Sequence, residues 1–365
     1  MQVLMTTDTL GGVFSYATSL ASWLSGQGVT VTLATMGSAL TPLQRAAAER
    51  AGARVRESTY RLEWMQEPWD DVRRAGDWLL ALERELRPDV VHLNGYAHAG
   101  LGWRAPVRLV AHSCVCSWFR AVRAERAPES WSRYREVVAQ ALGAARVIAP
   151  TRALLRMLRQ EYGAPRSGEV IFNGVPLPPE AERASKEPFV LAAGRLWDAA
   201  KNSAALQAAA ASVAWPICAA GEASSPDSGE SAELTSLRLL GSLGREELAG
   251  WMKRAAIFAA PALYEPFGLS ILEAAGQRCA LVLGDIPSLR ELWDGCALFV
   301  DPRDPRQLGA ALNRLIRDGS LRQALAERAW RRARSYDLER MGRAYLRSYG
   351  LTRAPAVAQV LELSS

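Results

Sequence analysis

Apolar residues follow two different periodicities along this chain. Short runs rich in valine, isoleucine and leucine, typical of buried strands, alternate with longer segments in which apolar residues recur every three or four positions. In the first half the pattern predicts strands at 2–6, 29–34, 54–57, 90–93, 107–112 and 146–149, and helices at 14–27, 42–51, 69–86 and 131–144. Such alternation is typical of a parallel sheet covered by helices on both faces.

The alternation restarts after a segment rich in proline, glutamate and alanine at 176–188, which we interpret as an interdomain linker. Beyond it we predict strands at 189–193, 217–220, 237–239, 257–261, 280–283 and 297–300, helices at 204–212, 245–253, 269–277 and 305–317, and nearly continuous helix at 321–351. The sequence therefore predicts an α/β protein with two Rossmann-like, doubly wound parallel-sheet domains. The first covers residues 1–175 and the second covers 189–337, and a C-terminal helix at about 338–365 returns to the first domain.

Length, charge and cysteine content narrow the class of protein. The 365 residues are enough for two domains of ordinary size. The net charge is +6, but the basic residues are spread out, so we expect no nucleic-acid partner. The sequence shows no signal-peptide pattern and no uncharged apolar run long enough to span a membrane, and its five cysteines are expected to be free thiols. These features predict a cytoplasmic location.

The segment 264–276, with the sequence YEPFGLSILEAAG, carries the strongest chemical signal. A predicted strand ends before it and a helix begins inside it, and the first N–H groups of a helix lack partners within the helix. These groups are a ready site for a diphosphate, and they belong to the residues that follow Phe267, namely Gly268, Leu269 and Ser270. Glu265 and Glu273 are placed to reach the same cleft and to bind sugar or ribose hydroxyls. The alternative is that they are ordinary charges on a helix.

A second signal is the pair Arg195 and Lys201, which follows Gly194 at the end of a predicted strand. Two cations on one loop can neutralise a diphosphate, the arginine through its planar fork and the lysine as a point charge. The alternative is a solvated pair on an exposed loop.

These motifs resemble glycosyltransferase family 4, the group 1 retaining enzymes with the GT-B fold. Glu265 and Glu273 match the E-x7-E motif of that family, and 194–201 resembles its G-R-x(5)-K-G segment, with Asn202 in place of the last glycine. The resemblance spans most of the chain and is strongest from 189 to 302. It implies two domains that face each other across a cleft.

The resemblance also implies roles for individual residues. Arg195 and Lys201 would bind the donor diphosphate, Glu265 the sugar hydroxyls and Glu273 the ribose. Leu243 would pack against the nucleotide base. The reaction would be a front-face transfer with retention at the anomeric carbon, without a metal ion or other cofactor.

In the first half, the glycine pair Gly11 and Gly12 lies between a strand and a helix, and His112 lies at the carboxyl end of the predicted strand at 107–112. The glycine pair resembles the family loop that approaches the donor phosphate and the acceptor, and His112 resembles the family histidine that contacts the donor sugar. An ordinary turn and a structural histidine are the alternatives. His92 is a weaker candidate, and His98 has no assigned role.

The acceptor is expected to bind near Gly11, Gly12 and the segment 114–135, which mixes aromatic residues with arginines and includes Trp118 and Arg120. This segment fits a carbohydrate, a lipid-linked or a small-molecule acceptor, or a peripheral contact with the inner face of the membrane. The alternative is an amphipathic helix that packs its aromatic residues inward.

The sequence thus predicts a metal-independent, retaining hexosyltransferase that uses a UDP- or GDP-linked sugar in glycan, glycolipid or glycoside biosynthesis. Two other functions stay open at this point: a sugar-nucleotide epimerase of the same build, and a non-catalytic protein that binds nucleotide sugars or glycans.

Overall fold

The structure is a computed structural model that describes residues 1–179, 185–224, 229 and 231–351. These residues form two parallel sheets, each of which contains every strand of one half of the chain. The prediction of an α/β protein with two Rossmann-like domains is confirmed. None of the described helices is both long and apolar enough to cross a membrane.

The first sheet has seven parallel strands in the order β3-β2-β1-β4-β5-β6-β7. They are β1 (Gln2–Asp8), β2 (Thr30–Met36), β3 (Arg54–Glu57), β4 (Val90–Leu93), β5 (Val107–Val110), β6 (Arg146–Ala149) and β7 (Gly168–Val170). The helices are α1 (Gly12–Gly26), α2 (Pro42–Arg50), α3 (Trp69–Leu86), α4 (Val115–Arg123), α5 (Ser132–Ala144) and α6 (Arg152–Tyr162). The strand order reverses between β1 and β4, and ligands of such sheets bind at the carboxyl ends of the strands beside that reversal.

The second sheet repeats this topology with six parallel strands in the order β10-β9-β8-β11-β12-β13. They are β8 (Glu187–Ala193), β9 (Ile217–Ala220), β10 (Arg238–Gly241), β11 (Ala255–Ala260), β12 (Ala280–Gly284) and β13 (Ala297–Val300). The helices are α7 (Ser203–Ala210), α8 (Arg245–Arg254), α9 (Leu269–Gly276), α10 (Pro287–Trp293), α11 (Pro305–Arg317) and α12 (Gly319–Ala333). The strand order here reverses between β8 and β11.

Both faces of each sheet are buried, which explains why the strands are apolar runs rather than alternating ones. In β1, Val3 and Met5 pack in the cluster under α1, whereas Leu4 packs in the cluster under α3. In β12, Leu281 and Val282 likewise belong to different clusters. Because successive strand residues point to opposite faces, both must be apolar wherever helices cover both faces.

The C-terminal end of the chain crosses from the second domain to the first. The helical pattern predicted at 321–351 is interrupted by a 3-10 turn at Arg334–Tyr336 and resumes as α13 (Leu338–Ser348). Asp337 causes the break, because its extended backbone pairs with Val175 and its side chain accepts the N–H of Arg340 as an N-cap. The new direction lets α13 pack against α1.

The contact between α13 and α1 depends on a glycine. A Cβ atom added to Gly342 would lie 2.1 Å from Cε3 of Trp23, so only glycine allows the two helices to approach this closely. Trp23 Nε1 also donates to Glu339 at 2.8 Å, and Met341, Tyr345 and Leu346 are buried in the first domain's core. The predicted return of the C-terminal helix is confirmed by these contacts. Residues 352–365 of the predicted segment lie outside the described residues.

The second half of the chain differs slightly from the predicted element bounds. Its first strand begins at Glu187, two residues before the expected start, and residues 180–184 of the predicted linker lie outside the described residues. The sequence pattern did not predict α4, α6 or α10, all of which have eleven residues or fewer. Short helices of this kind show too few turns for a clear periodicity.

Candidate active site

The turn after β1 carries the first domain toward the second. It contains Gly11 and Gly12, and α1 begins at Gly12. A Cβ atom on Gly11 would lie 3.8 Å from Nη1 of Arg195, and one on Gly12 would lie 3.7 Å from Cδ1 of Leu269. The glycine pair therefore faces the carboxyl end of the second sheet at van der Waals distance.

Arg195 follows β8 and is held by a carboxylate that both domains contact. Its Nη2 donates to Asp198 Oδ2 at 2.8 Å, and the other oxygen of Asp198 accepts from Trp118 Nε1, in α4 of the first domain, at 3.1 Å. The arginine side chain remains 46% exposed, whereas that of Asp198 is 8% exposed. Asp198 thus fixes the guanidinium while leaving much of it accessible to a ligand.

Lys201 and Glu265 form an ion pair in this structure. Lys201 Nζ lies 2.5 Å from Glu265 Oε2, and their side chains are 26% and 12% exposed. Ser288 Oγ donates to the backbone oxygen of Glu265, which anchors the loop that carries the carboxylate. Each charge is therefore compensated by the other without a ligand.

Asn202 occupies the position at which the family segment has glycine. Its φ of 58° is in the left-handed region, which asparagine tolerates better than most residues. Its Nδ2 donates to the backbone oxygens of Pro261 and Pro302 at 2.8 and 2.6 Å. Asparagine therefore maintains the turn after Lys201 and adds two hydrogen bonds that glycine could not make.

The amino end of α9 opens toward the same cleft. Gly268 precedes the helix with a φ of 87°, a conformation that favours glycine. Leu269 and Ser270 are half-buried, and Ser270 Oγ lies 3.5 Å from the backbone oxygen of Ala193. Phe267 is 3% exposed and packs against Tyr336 with ring centroids 6.0 Å apart, so its side chain belongs to the core.

Glu273 lies one turn further along α9 and is half-buried. Burial raises the pKa of its carboxyl, and the charge of Arg245 at the start of α8 partly opposes this rise. Leu243 is half-buried in the loop between β10 and α8. Glu273 therefore lies near the start of α8, and Leu243 lies in the loop that leads into that helix.

Hydrogen bonds between the domains bring the two edges together. Tyr264 Oη accepts from the backbone N–H of Cys114 at 3.0 Å, and Thr151 Oγ1 donates to the backbone oxygen of Pro266 at 3.0 Å. Glu291 of α10 accepts the N–H groups of Arg152 and Ala153 at 2.9 and 2.8 Å and so caps α6 from the other domain. The loops around Glu265 and His112 are thereby held next to each other.

The two halves of the chain match two family models with consistent descriptions. Residues 10–177 match the model described as Glycosyltransferase Family 4, and residues 187–318 match the model described as Glycosyl transferases group 1. The chain belongs to the group 1 glycosyltransferases. The recognition made from the E-x7-E motif is confirmed.

Curated relatives of this glycosyltransferase match it over limited segments. A D-inositol 3-phosphate glycosyltransferase of Nocardioides sp. is 33% identical over 120 residues, which are 32% of this chain and 26% of the relative. An O-antigen chain mannosyltransferase B of Escherichia coli is 30% identical over 115 residues, 32% of this chain and 30% of the relative. The matched segments span less than a third of the length of these relatives.

Solved structures match this glycosyltransferase along nearly its whole length. Sucrose-phosphate synthase from Thermosynechococcus elongatus superposes with a TM-score of 0.80 at 18% identity, over 96% of this chain and 98% of that one. The HepE protein of Anabaena, solved in complex with UDP and glucose, has a TM-score of 0.76 at 16% identity, over 96% and 99% of the two chains. These matches confirm the GT-B fold.

The structure brings most of the predicted site residues of this glycosyltransferase to one cleft. Arg195, Lys201, Glu265 and the start of α9 lie at the carboxyl ends of β8 and β11, opposite the glycine pair. Phe267 and Arg120 are exceptions. The side chain of Phe267 packs in the core, whereas the guanidinium of Arg120 pairs with Glu161 of α6 and the arginine side chain is half exposed. Nothing among its described contacts involves the cleft.

Sequence reasoning missed Asp8, the last residue of β1. Its Oδ1 accepts the N–H of Leu10 at 3.2 Å. Burial raises the pKa of its carboxyl to about 7, against opposing contributions from Arg195 and from the hydrogen bond of Leu10. The signal was present in the sequence, since an acidic residue at a strand end just before the glycine pair must lie at the ligand-binding edge.

Proposed function

We propose that this glycosyltransferase moves a hexosyl group from a UDP- or GDP-linked sugar to an acceptor hydroxyl, with retention at the anomeric carbon. The observation that carries the proposal is the convergence of Arg195, Lys201, Glu265 and the N–H groups of α9 on one edge, facing Gly11. A diphosphate carries negative charge that increases as the glycosyl bond breaks. Fixed cations and open helix N–H groups stabilise this increase more than they stabilise the bound donor.

The Lys201–Glu265 pair has two separate roles in this proposal. The diphosphate takes Lys201 as its countercharge, and Glu265 is then available to accept hydrogen bonds from sugar hydroxyls. Arg195, already oriented by Asp198, binds a second phosphate oxygen. Because two cations and a helix terminus supply the positive charge, the proposed reaction needs no metal ion.

The nucleoside is proposed to lie along the β10 side of the second domain. There Glu273 accepts hydrogen bonds from the ribose, and Leu243 packs against the base. Both side chains are half-buried, so packing restricts their conformations while part of each side chain stays accessible to a ligand. The partly compensated charge of Glu273 favours a hydroxyl partner over a phosphate.

The acceptor is proposed to bind at the first-domain rim, between Gly11, Gly12 and the start of α4. Trp118, Phe119 and Trp131 are half-buried there, and Phe119 contacts Trp118 edge to face and Trp131 in a tilted arrangement. The large apolar side chains exposed in the described residues are instead Leu43 and Leu239, which lie in different domains. Without an exposed aromatic patch at this rim, a carbohydrate or small-molecule acceptor fits better than a lipid-linked one. A cytoplasmic location is proposed with it.

A panel of nucleoside diphosphates and their sugars, tested by thermal shift, would identify the donor. The selected donor is then incubated with and without candidate acceptors, and nucleoside diphosphate release and the anomeric configuration of the product are measured. Acceptor-dependent release with retention supports the proposal. Conversion of the donor sugar to its epimer without acceptor would indicate an epimerase instead, and donor binding without any turnover would indicate a non-catalytic binding protein.

A further inference from the structure

Asn94, at the carboxyl end of β4, contacts two histidines with a single oxygen atom. Its Oδ1 lies 2.7 Å from His112 Nε2 and 3.1 Å from His92 Nε2. Its Nδ2 donates to the backbone oxygen of Thr6 at 2.7 Å. A carbonyl oxygen only accepts, so this bond fixes the orientation of the amide. The atom between the two imidazoles is therefore the acceptor oxygen.

An acceptor oxygen requires an N–H group on each Nε2 atom that faces it. Burial lowers the pKa of His92 to about 4 and that of His112 to about 3, so both rings are neutral near neutral pH and each carries one proton. Both histidines are consequently Nε2–H tautomers, and both Nδ1 atoms are acceptors. His92 Nδ1 accepts from the hydroxyl of Tyr349 at 2.6 Å.

The ring of His112 is held in place on the sides away from the cleft. Tyr16 of α1 packs against it in a T-shaped, edge-to-face arrangement with ring centroids 4.5 Å apart, and His92 lies on the far side of Asn94. Arg108, a charged neighbour of His92, further disfavours protonation of that ring. No described residue gives His112 Nδ1 a hydrogen bond, and the ring remains partly exposed.

We propose that Asn94 is a positioning residue that holds His112 as the Nε2–H tautomer, so that its Nδ1 accepts a hydrogen bond from a hydroxyl of the donor sugar. Asn94 itself does not touch the substrate. Tyr349, from the segment that follows α13, donates to His92 Nδ1 and so holds His92 in the same Nε2–H tautomer. The returning C-terminal segment therefore supports the site. The hydrogen bond from the donor sugar to His112 rests on the proposed function, whereas the tautomer assignment does not.

Histidine NMR tests the tautomer directly because the chain contains only three histidines. In protein labelled with nitrogen-15 histidine at neutral pH, His92 and His112 should both show the neutral Nε2–H pattern with a hydrogen-bonded Nε2 proton. His98 is an internal reference, since its Nε2 faces the backbone oxygen of Val72 at 3.0 Å. A protonated ring or an Nδ1–H tautomer at His112 would overturn the inference.

The variant Asn94→Ala tests whether Asn94 is the residue that holds His92 and His112 as Nε2–H tautomers. We expect the hydrogen-bonded Nε2 proton signals of His92 and His112 to be lost while that of His98 stays. Asn313→Ala is the matched control, because Asn313 makes two similar backbone hydrogen bonds on an exposed surface, to Ala214 and Ser212. Signals of His92 and His112 that persist unchanged in Asn94→Ala would contradict the proposal.

Adding the donor tests whether His112 Nδ1 accepts a hydrogen bond from the donor sugar. Saturating nucleotide sugar should shift the Nδ1 resonance of His112 and leave that of His98 in place, and Asn94→Ala should lower kcat/KM about ten- to a hundredfold. An unchanged Nδ1 resonance with bound donor would remove His112 from sugar recognition. If no nucleotide sugar binds the wild-type protein, the proposed function fails, yet the tautomers measured without substrate still decide the role of Asn94.

Discussion

Lys201 Nζ and Glu265 Oε2 are 2.5 Å apart, although the residues are separated by 64 positions in the chain. The pair joins the loop after β8 to the loop after β11, the two strands between which the second sheet reverses its order. A ligand that takes the lysine as countercharge releases the carboxylate beside it. Donor binding is therefore expected to replace one ion pair by two ligand contacts.

Replacement of Lys201 by alanine should lower kcat with little loss of fold. Removal of one group that stabilises charge in the transition state typically costs about 10²–10³ in kcat. Steady-state kinetics with the identified donor measure the loss. Lys253→Ala is the matched control, since Lys253 is in the last turn of α8 and so lies near the opposite, amino edge of the sheet. Near-normal turnover in Lys201→Ala would contradict its assigned role.

Trp118→Phe should weaken the orientation of Arg195 without removing the aromatic ring. The variant loses the N–H donor to Asp198, a single hydrogen bond worth about 0.5–1.5 kcal/mol, so kcat/KM is expected to fall by up to about tenfold. Phe119→Leu is a control in the same helix, because Phe119 packs against Trp118 and Trp131 without contacting Asp198. Equal effects of the two substitutions would indicate loss of packing rather than loss of the hydrogen bond.

Asp8 should make the stability of the protein depend on pH. Its folded pKa is about 7 and its ordinary value is 3.8, so between these values the folded state holds a proton that the unfolded chain has released. The free energy of unfolding therefore falls as pH rises through this window. Asp8→Asn does not titrate, so we expect its stability relative to wild type to rise as pH increases from about 4 to about 7 and to level off above that. Urea unfolding at several pH values measures the difference, and a constant difference would refute the assignment.

Gly342→Ala should separate the returning helix from the first domain. The added methyl group would lie 2.1 Å from Trp23, and such overpacking typically costs about 1–3 kcal/mol, or more where the backbone cannot move. Gly143→Ala is the control, because nothing lies within 4 Å of its Cβ position in α5. Thermal unfolding should show a clear loss for the first variant and none for the second. A Gly342→Ala protein as stable as wild type would show that α13 shifts without cost.

The sequence determined the class of fold because its strands are buried on both faces. That burial makes each strand a continuous apolar run, and such runs alternating with helices specify two doubly wound domains. Glycine, arginine, lysine and glutamate at fixed spacing in 194–201 and 265–273 also pointed to a diphosphate site, since these residues must lie at strand ends. The break at Asp337 could not be read in this way, because helical periodicity continues on both sides of it.

Only the tertiary structure decided which side chains meet. Periodicity places a residue on an element but does not show what faces it across a domain boundary. Asp198 between Arg195 and Trp118, Asn94 between two histidines, and Asp8 with its raised pKa all depend on contacts between residues far apart in the chain. Arg120 is an opposite case. The sequence pattern suggested that this cation binds the acceptor, but its guanidinium pairs with Glu161. Burial and pairing are properties of the packed chain, so they set the chemistry of the site after the sequence has set its location.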